Sequence, residues 1–160
     1  GLGHMALQFL RAWGCEVTAF SSSPDKTEEA KSMGAHHVVN SRDADALAAI
    51  AGSLDAIIST VSADLDWSVY LNALRPKGRL HFVGVPPSPI STHAFALIGG
   101  QKAISGTPLG SPATTATMLD FTQRHSIEPI IETFPFSKIN AAMDRLRNGK
   151  PRYRVVLTPG

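Results

Sequence analysis

Short apolar, β-prone runs that alternate with amphipathic helical stretches predict an α/β fold, a parallel sheet covered by helices on both faces. Two further observations point the same way. The helical stretches repeat their apolar residues at the 3.6-residue period, and the connections between elements are only a few residues long. Hydrophobic residues form 43% of the 160-residue chain and charged residues 18%, which suits one ordered globular domain and excludes disorder as the main state.

In order along the chain, Met5, Ala6, Phe9, Leu10 and Trp13 recur at helical spacing before Gly14, and Val17 to Phe20 follows as a strand. Ser23-Pro24-Asp25 supplies a candidate N-cap with proline at the first helical position, and Lys26 to Met33 reads as a helix closed by Gly34. His37 to Val39 is the next strand. The alternation continues with a helix over Ala44 to Ile50, a strand over Ala56 to Ile58, a helix from Leu65 to Leu74 stopped by Pro76, and a strand from Arg79 to Val83. A proline-rich loop, Val85 to Pro89, and a short helix around Ala94 to Ile98 lead to Lys102 to Ser105, the last strand of this series. Beyond Ser111 the rhythm changes. Helix Ala113 to Arg124 precedes a strand at Ile130 to Phe134, helix Lys138 to Arg147 and a terminal strand Tyr153 to Leu157, which leaves open whether this tail joins the same sheet.

Composition narrows the function. Fifteen Lys and Arg against thirteen Asp and Glu give a net charge of +2, and the basic residues are scattered, so nucleic acid is not an expected partner. No apolar run reaches the roughly 18 residues that span a bilayer, and the start has no signal-type pattern, so no membrane partner and a cytoplasmic location are expected. The single cysteine, Cys15, excludes an intramolecular disulfide and a cysteine-cluster zinc site.

Gly1-Leu2-Gly3-His4 opens the first helix, and Ser21 follows Gly3 by eighteen residues at the end of the next strand. That is the spacing of a dinucleotide site, in which glycines let backbone approach a pyrophosphate and a residue about 20 positions on contacts the adenosine ribose. A whole G-x-G-x-x-G and its preceding strand would need residues ahead of Gly1. Gly-His-Met also has the look of a tag remnant, but Leu2 to Trp13 keeps helical phase through that junction, which favours native sequence. At the strand end, an acidic residue would bind the 2′-hydroxyl of NAD. Here stand Ser21, Ser22 and Ser23, with Lys26 following, which offers donors and positive charge to a 2′-phosphate and favours NADP. An ordinary Ser-Pro cap and turn is the other reading of this segment.

These segments, with Leu54 to Val61, Gly78 to Val85, Ile104 to Thr107 with Gly110-Ser111, and Arg152 to Val156, together resemble the zinc-dependent medium-chain alcohol dehydrogenases, in their cinnamyl-alcohol-dehydrogenase-like branch. The resemblance runs over essentially the whole chain. It implies a Rossmann-type, doubly wound parallel sheet truncated at its first strand and followed by a C-terminal strand-helix-strand tail, with residues 1–111 as an incomplete NADP-binding domain and residues 112–160 as a C-terminal helix and return segment toward a catalytic domain. The implied activity is hydride transfer between NADP and a primary alcohol or aldehyde, with zinc supplied by the missing catalytic domain. This chain alone is then expected to be inactive, and no catalytic or metal-ligating residue is assigned within it.

Position by position, the resemblance implies that Gly1, Leu2 and Gly3 face the pyrophosphate and that Ser21, Ser22, Ser23 and Lys26 face the 2′-phosphate. Thr60 and Val61 would line the groove, Gly84 and Val85 the nicotinamide ribose, and Thr107, Pro108 and Leu109 the carboxamide. Proline replaces the aromatic residue common in the family at position 108. Arg154 is expected at the pyrophosphate, or alternatively in solvent on an edge strand. His4 and His36-His37 are read as structural rather than catalytic or metal-binding. The family also implies a homodimer formed through strand 102–105. A zinc-independent quinone or enone reductase and a non-enzymatic NADP-sensing module are the alternative readings.

Overall fold

The computed structural model describes residues 1–149 and 151–159. Helix α1 (Leu2–Ala12) leads to strand β1 (Thr18–Ser21), a 3-10 turn (Pro24–Lys26) running into α2 (Thr27–Ser32), β2 (His37–Asn40) and α3 (Ala44–Ala49). The chain continues through β3 (Leu54–Ser59), α4 (Trp67–Ala73), β4 (Leu74–Phe82), α5 (Ala94–Ile98) and β5 (Ala103–Gly106). The tail holds α6 (Pro112–Arg124), β6 (Ile131–Pro135), a 3-10 turn (Phe136–Lys138), α7 (Ile139–Arg147) and β7 (Arg154–Thr158). Every expected helix and strand is present, within one to three residues at most ends.

The strands form three parallel sheets, β1 with β2, β3-β4-β5 in that order, and β6 with β7. Parallel pairing needs a crossover, which α2, α4, α5 and α7 provide in turn. It also brings the carboxyl ends of paired strands to the same side, so that Ser21 stands beside Asn40, and Phe82 stands between Ser59 and Gly106. The tail is a sheet of its own, which settles the question its changed rhythm raised. Among the described residues β1 and β3 do not pair with each other.

The core lies between the middle sheet and α4. Leu71, Leu74 and Leu80 are fully buried within a cluster that includes Ile57, Trp67, Tyr70 and Phe82. Phe20 of β1 packs on it, edge-on to Tyr70 at 5.3 Å between ring centroids, which joins the first sheet to the second. Burial also explains why β3 reads as an apolar run, since Ile57 and Ser59 point into this core while Ile58 points away.

Two local departures from the sequence reading have physical causes. Proline and aspartate at the start of the second helix produce a 3-10 turn in place of its first α-helical turn. Strand β4 starts at Leu74, five residues before the expected Arg79, because Leu74 pairs with Leu54 and Arg79 with Ala56, with Pro76 and Lys77 held in the irregular stretch between. Proline has no amide to give a ladder, so it is tolerated where the pairing breaks. Gly34 closes α2 at φ +116°, where a side chain would strike Arg11 Cβ at 2.8 Å, so α2 and its turn lie tight against α1.

Candidate functional site

The N-terminus of α1 and the carboxyl ends of β1, β3, β4 and β5 bear the residues singled out in the sequence. Gly3 is in close approach to Thr60, since a Cβ on Gly3 would lie 3.3 Å from Thr60 Oγ1. Gly1 lies beside Arg154, whose guanidinium atoms are within 3.8–3.9 Å of where a Gly1 Cβ would stand. Arg154 is therefore turned toward α1 rather than out along an edge. Burial lowers the pKa of the Gly1 amine, and the charges of Arg154 and then Lys26 lower it further. The first turn of α1 contains no acidic residue. A helix start with free amides and the Arg154 guanidinium beside it is suited to an anion.

At the end of β1 the three serines differ in role. Ser21 Oγ accepts from the Ser23 amide and donates to the Ser23 carbonyl, both at 3.2 Å, so it shapes the bend that follows the strand. Ser22 is exposed. Ser23 occupies the cap position of the 3-10 turn, yet its hydroxyl makes no capping bond. Lys26, exposed at the end of that turn, makes no ion pair among the described residues. Hydroxyls without a capping duty and an unpaired ammonium are what a 2′-phosphate would engage.

The ends of β3 and β4 meet at Gly84. Its amide and that of Val83 donate to the Ser59 carbonyl at 2.9 and 3.0 Å, and a Cβ on Gly84 would fall 2.6 Å from the Thr60 carbonyl carbon and 2.7 Å from the Val61 amide nitrogen. Only glycine allows this approach. Val61 is 40% exposed and Val85 77%, which leaves apolar surface open beside the crossing. The loop beyond Val85 is pinned by Asp64, whose carboxylate accepts from the Ser88 amide at 3.0 Å and the Ser88 hydroxyl at 2.7 Å.

Thr107, Pro108 and Leu109 follow β5 and are exposed. Here the structure adds His81, which the sequence reading passed over. Its ring is bonded to Ser105 Oγ at 2.9 Å and Thr107 Oγ1 at 3.0 Å, and so fixes the exit of β5. The signal was the β4 alternation, in which Leu80 and Phe82 face the core and His81 faces away.

His4 is the second addition in role. It is buried, its Nδ1 donates to the Gly1 carbonyl, and its Nε2 accepts from the Ile130 amide at 3.2 Å. Its ring stacks on Tyr153 at 4.7 Å. Burial is the main cause of a lowered His4 pKa, partly offset by the Gly1 carbonyl and reinforced by the Gly1 amine and Arg154. The bond to Ile130 needs an unprotonated Nε2, so the site requires neutral imidazole. Stability is then fully present above the ordinary histidine pKa of 6.5 and falls as pH drops below it toward the folded value, because the unfolded chain takes up the proton first. We expect His4→Gln to flatten this part of the stability-pH curve in urea melts; an unchanged slope between pH 7 and 5 would refute the assignment.

A separate cavity of about 640 Å³ is lined by Arg11, Lys31, His36, His125 and neighbours, and by none of the residues above. Its Arg11 and Lys31 stand in the last turns of α1 and α2, where they complement helix C-terminal carbonyls. Among the described residues no three His, Cys, Asp or Glu side chains gather to hold a metal. The residues present do not fit a zinc site. No helix among them is long and apolar enough to cross a membrane.

Comparison with known proteins fits this geometry. A family model described as zinc-binding dehydrogenase matches residues 1–124. The chain is 53% identical over 158 residues to the aldehyde reductase AdhA of Synechocystis, covering 99% of this chain and 47% of that protein. It is 40% identical over 161 residues to cinnamyl alcohol dehydrogenase 7 of Oryza sativa, covering 100% and 42%. Among solved structures, a cinnamyl alcohol dehydrogenase of Sorghum bicolor superposes with a TM-score of 0.90 at 41% identity, over 98% of this chain and 44% of that one. The cinnamyl alcohol dehydrogenase of Helicobacter pylori complexed with NADP(H) gives 0.82 at 33% identity, over 98% and 45%. The chain spans about half the length of the curated relatives it matches.

Proposed function

This chain belongs to the zinc-binding dehydrogenase family, and from that premise we propose that it is the nucleotide-holding part of an NADP-dependent oxidoreductase acting on primary alcohols and aldehydes. The observation that carries the reading is Arg154 beside Gly1 at the acid-free start of α1, together with the serine bend and the exposed Lys26 that follow β1.

NADP, when bound, supplies or takes up the hydride. This chain's residues bind and orient it. Gly1, Leu2 and Gly3 present main chain at the helix start to the pyrophosphate, and Arg154 adds a guanidinium fork. Ser22, Ser23 and Lys26 hold the 2′-phosphate, with Ser21 setting the bend. Thr60, Val61, Gly84 and Val85 form the groove wall, and His81 holds Thr107 in place for the carboxamide, with Pro108 and Leu109 alongside. The same reading takes residues 1–111 as the nucleotide domain and residues 112–160 as the return segment, and it makes the unpaired edge of β5 the surface of a homodimer.

The test is Ser22→Asp in the full-length protein. The new carboxylate would face a group of nearly two negative charges while removing a charge-assisted hydrogen bond worth about 1.5–3 kcal/mol. The ratio of NADP to NAD affinity should fall by at least roughly tenfold, with NAD affinity held or raised. Equal affinities in the unmodified protein, or no response to the substitution, would reduce the serines to a helix turn and remove the NADP assignment.

A further inference from the structure

Three consecutive residues leading into β7 reach the first turn of α1 and the helix α2. Arg154 lies beside Gly1, Tyr153 stacks on His4, and the Arg152 guanidinium pairs with Glu29 of α2. Only the first of these touches a group expected to meet the nucleotide. The pairing of Arg152 with Glu29 spans 123 residues of sequence and joins the tail sheet to the helix that follows the serine bend.

Arg152 is well braced for such a task. Its amide donates to Glu132 Oε1 at 2.7 Å, and the same carboxylate accepts from Arg145 Nε and Nη2 at 2.7 and 2.8 Å. Those bonds hold the Glu132 carboxyl down at about 2, so the anchor keeps its charge through any ordinary pH. The next amide, of Tyr153, donates to the Ile130 carbonyl at 2.8 Å. Burial, with the Glu29 carboxylate nearby, pushes the Tyr153 hydroxyl up to about 12, so it stays protonated and uncharged beside Glu29.

On the other side, Glu29 sits three residues beyond Lys26 on a continuous stretch. The Lys26 amide donates to the Ser23 carbonyl at 3.1 Å, and Thr27 Oγ1 donates to the Pro24 carbonyl at 2.8 Å. A helix of six residues has little hold of its own on the position of its first turn. Packing of Gly34 against α1 holds the far end of α2, and an external tie on Glu29 adds a hold nearer its first turn.

We propose that Arg152, through its ion pair with Glu29, is a positioning residue for the 2′-phosphate end of the nucleotide site: it fixes the 3-10 turn bearing Ser23 and Lys26 without touching the nucleotide itself. This rests on the NADP reading above. The sign of the effect separates positioning from plain electrostatics. Removing the charge of Glu29 raises the positive potential near a phosphate, so through-space attraction alone would tighten NADPH binding in Glu29→Gln. Loss of the tie instead weakens it.

The experiment measures NADPH and NADH affinity by nicotinamide fluorescence for the full-length protein and for Glu29→Gln, Arg152→Ala, the double variant and Arg152→Lys. Both single variants should weaken NADPH by roughly fivefold, within the range of coupling between contacting residues, and leave NADH within about twofold. The double variant should be no worse than the singles, and Arg152→Lys should recover part of the loss. A general loss of stability would move both nucleotides together and so overturn the inference, as would tighter NADPH binding in the isosteric Glu29→Gln or additive single effects. An unmodified protein without NADPH preference would overturn the NADP reading and this inference with it. A preserved preference that Glu29→Gln leaves unmoved would overturn the inference alone.

Discussion

Gly84→Ala is expected to destabilise the fold by about 3 kcal/mol, at the upper end of overpacking effects, and to weaken nucleotide binding by more than tenfold. The added methyl group has no soft neighbour to push aside. It would meet main-chain atoms of Thr60 and Val61 at 2.6 and 2.7 Å, and the Val61 carbonyl oxygen closer still. Either the end of β4 leaves β3, breaking the bonds from Val83 and Gly84 to the Ser59 carbonyl, or Thr60 and Val61 move away from α1. Both outcomes disturb the groove wall. Denaturant melts and NADPH titration of the full-length protein check the two halves separately, and a loss below about 1 kcal/mol with intact binding would show that the crossing has room to relax.

Leu80→Ala should cost about 2–5 kcal/mol, the range for truncating a fully buried leucine. Leu80 is 0% exposed at the centre of the middle strand, opposite Ile57 on one side and Ile104 on the other, so the surrounding strands cannot collapse into the space it leaves. A domain stable by only about 5–15 kcal/mol would lose a large part of its margin. The midpoint of urea unfolding should fall with little change in slope. If the midpoint moved no further than it does for an exposed residue such as Leu119, which is 56% exposed, the core would have to be placed elsewhere.

What could be read from the sequence was what is local in it. Apolar spacing from Met5 to Trp13 and the β-prone run ending at Phe20 are decided by neighbours a few residues apart, and those elements stand where expected. The Gly1-Leu2-Gly3 start and the serines at the β1 end were legible for the same reason, since a strand, a turn and a helix follow directly. The early start of β4 at Leu74 was not, because it depends on pairing with Leu54 across the sheet. His81 looked like one polar residue in a strand until the register placed Ser105 opposite it and Thr107 two residues on. The tie from Arg152 to Glu29 and the stacking of Tyr153 on His4 join positions more than a hundred residues apart, and no spacing rule reaches that far.

The tail sheet has a consequence for how the protein breathes. Neither β6 nor β7 contains a buried side chain, and α7 buries only Ala142, whereas the cluster around Leu71, Leu74 and Leu80 lies wholly between Ile57 and Phe82. Native proteins open first where few apolar groups are sealed, so amides of the tail sheet are expected to exchange with solvent by a local opening well below the free energy of global unfolding, which hydrogen exchange would check. Such an opening would carry Arg152, Tyr153 and Arg154 away from α1 and α2, since the three are consecutive. On the proposed role of Arg154, a phosphate-bearing ligand would bind only the closed form, and by mass action it would suppress the opening by about 2.7 kcal/mol at one hundred times its dissociation constant. On that proposal the tail sheet is a latch, loosely built by its own few buried groups and held shut by the ligand's charge.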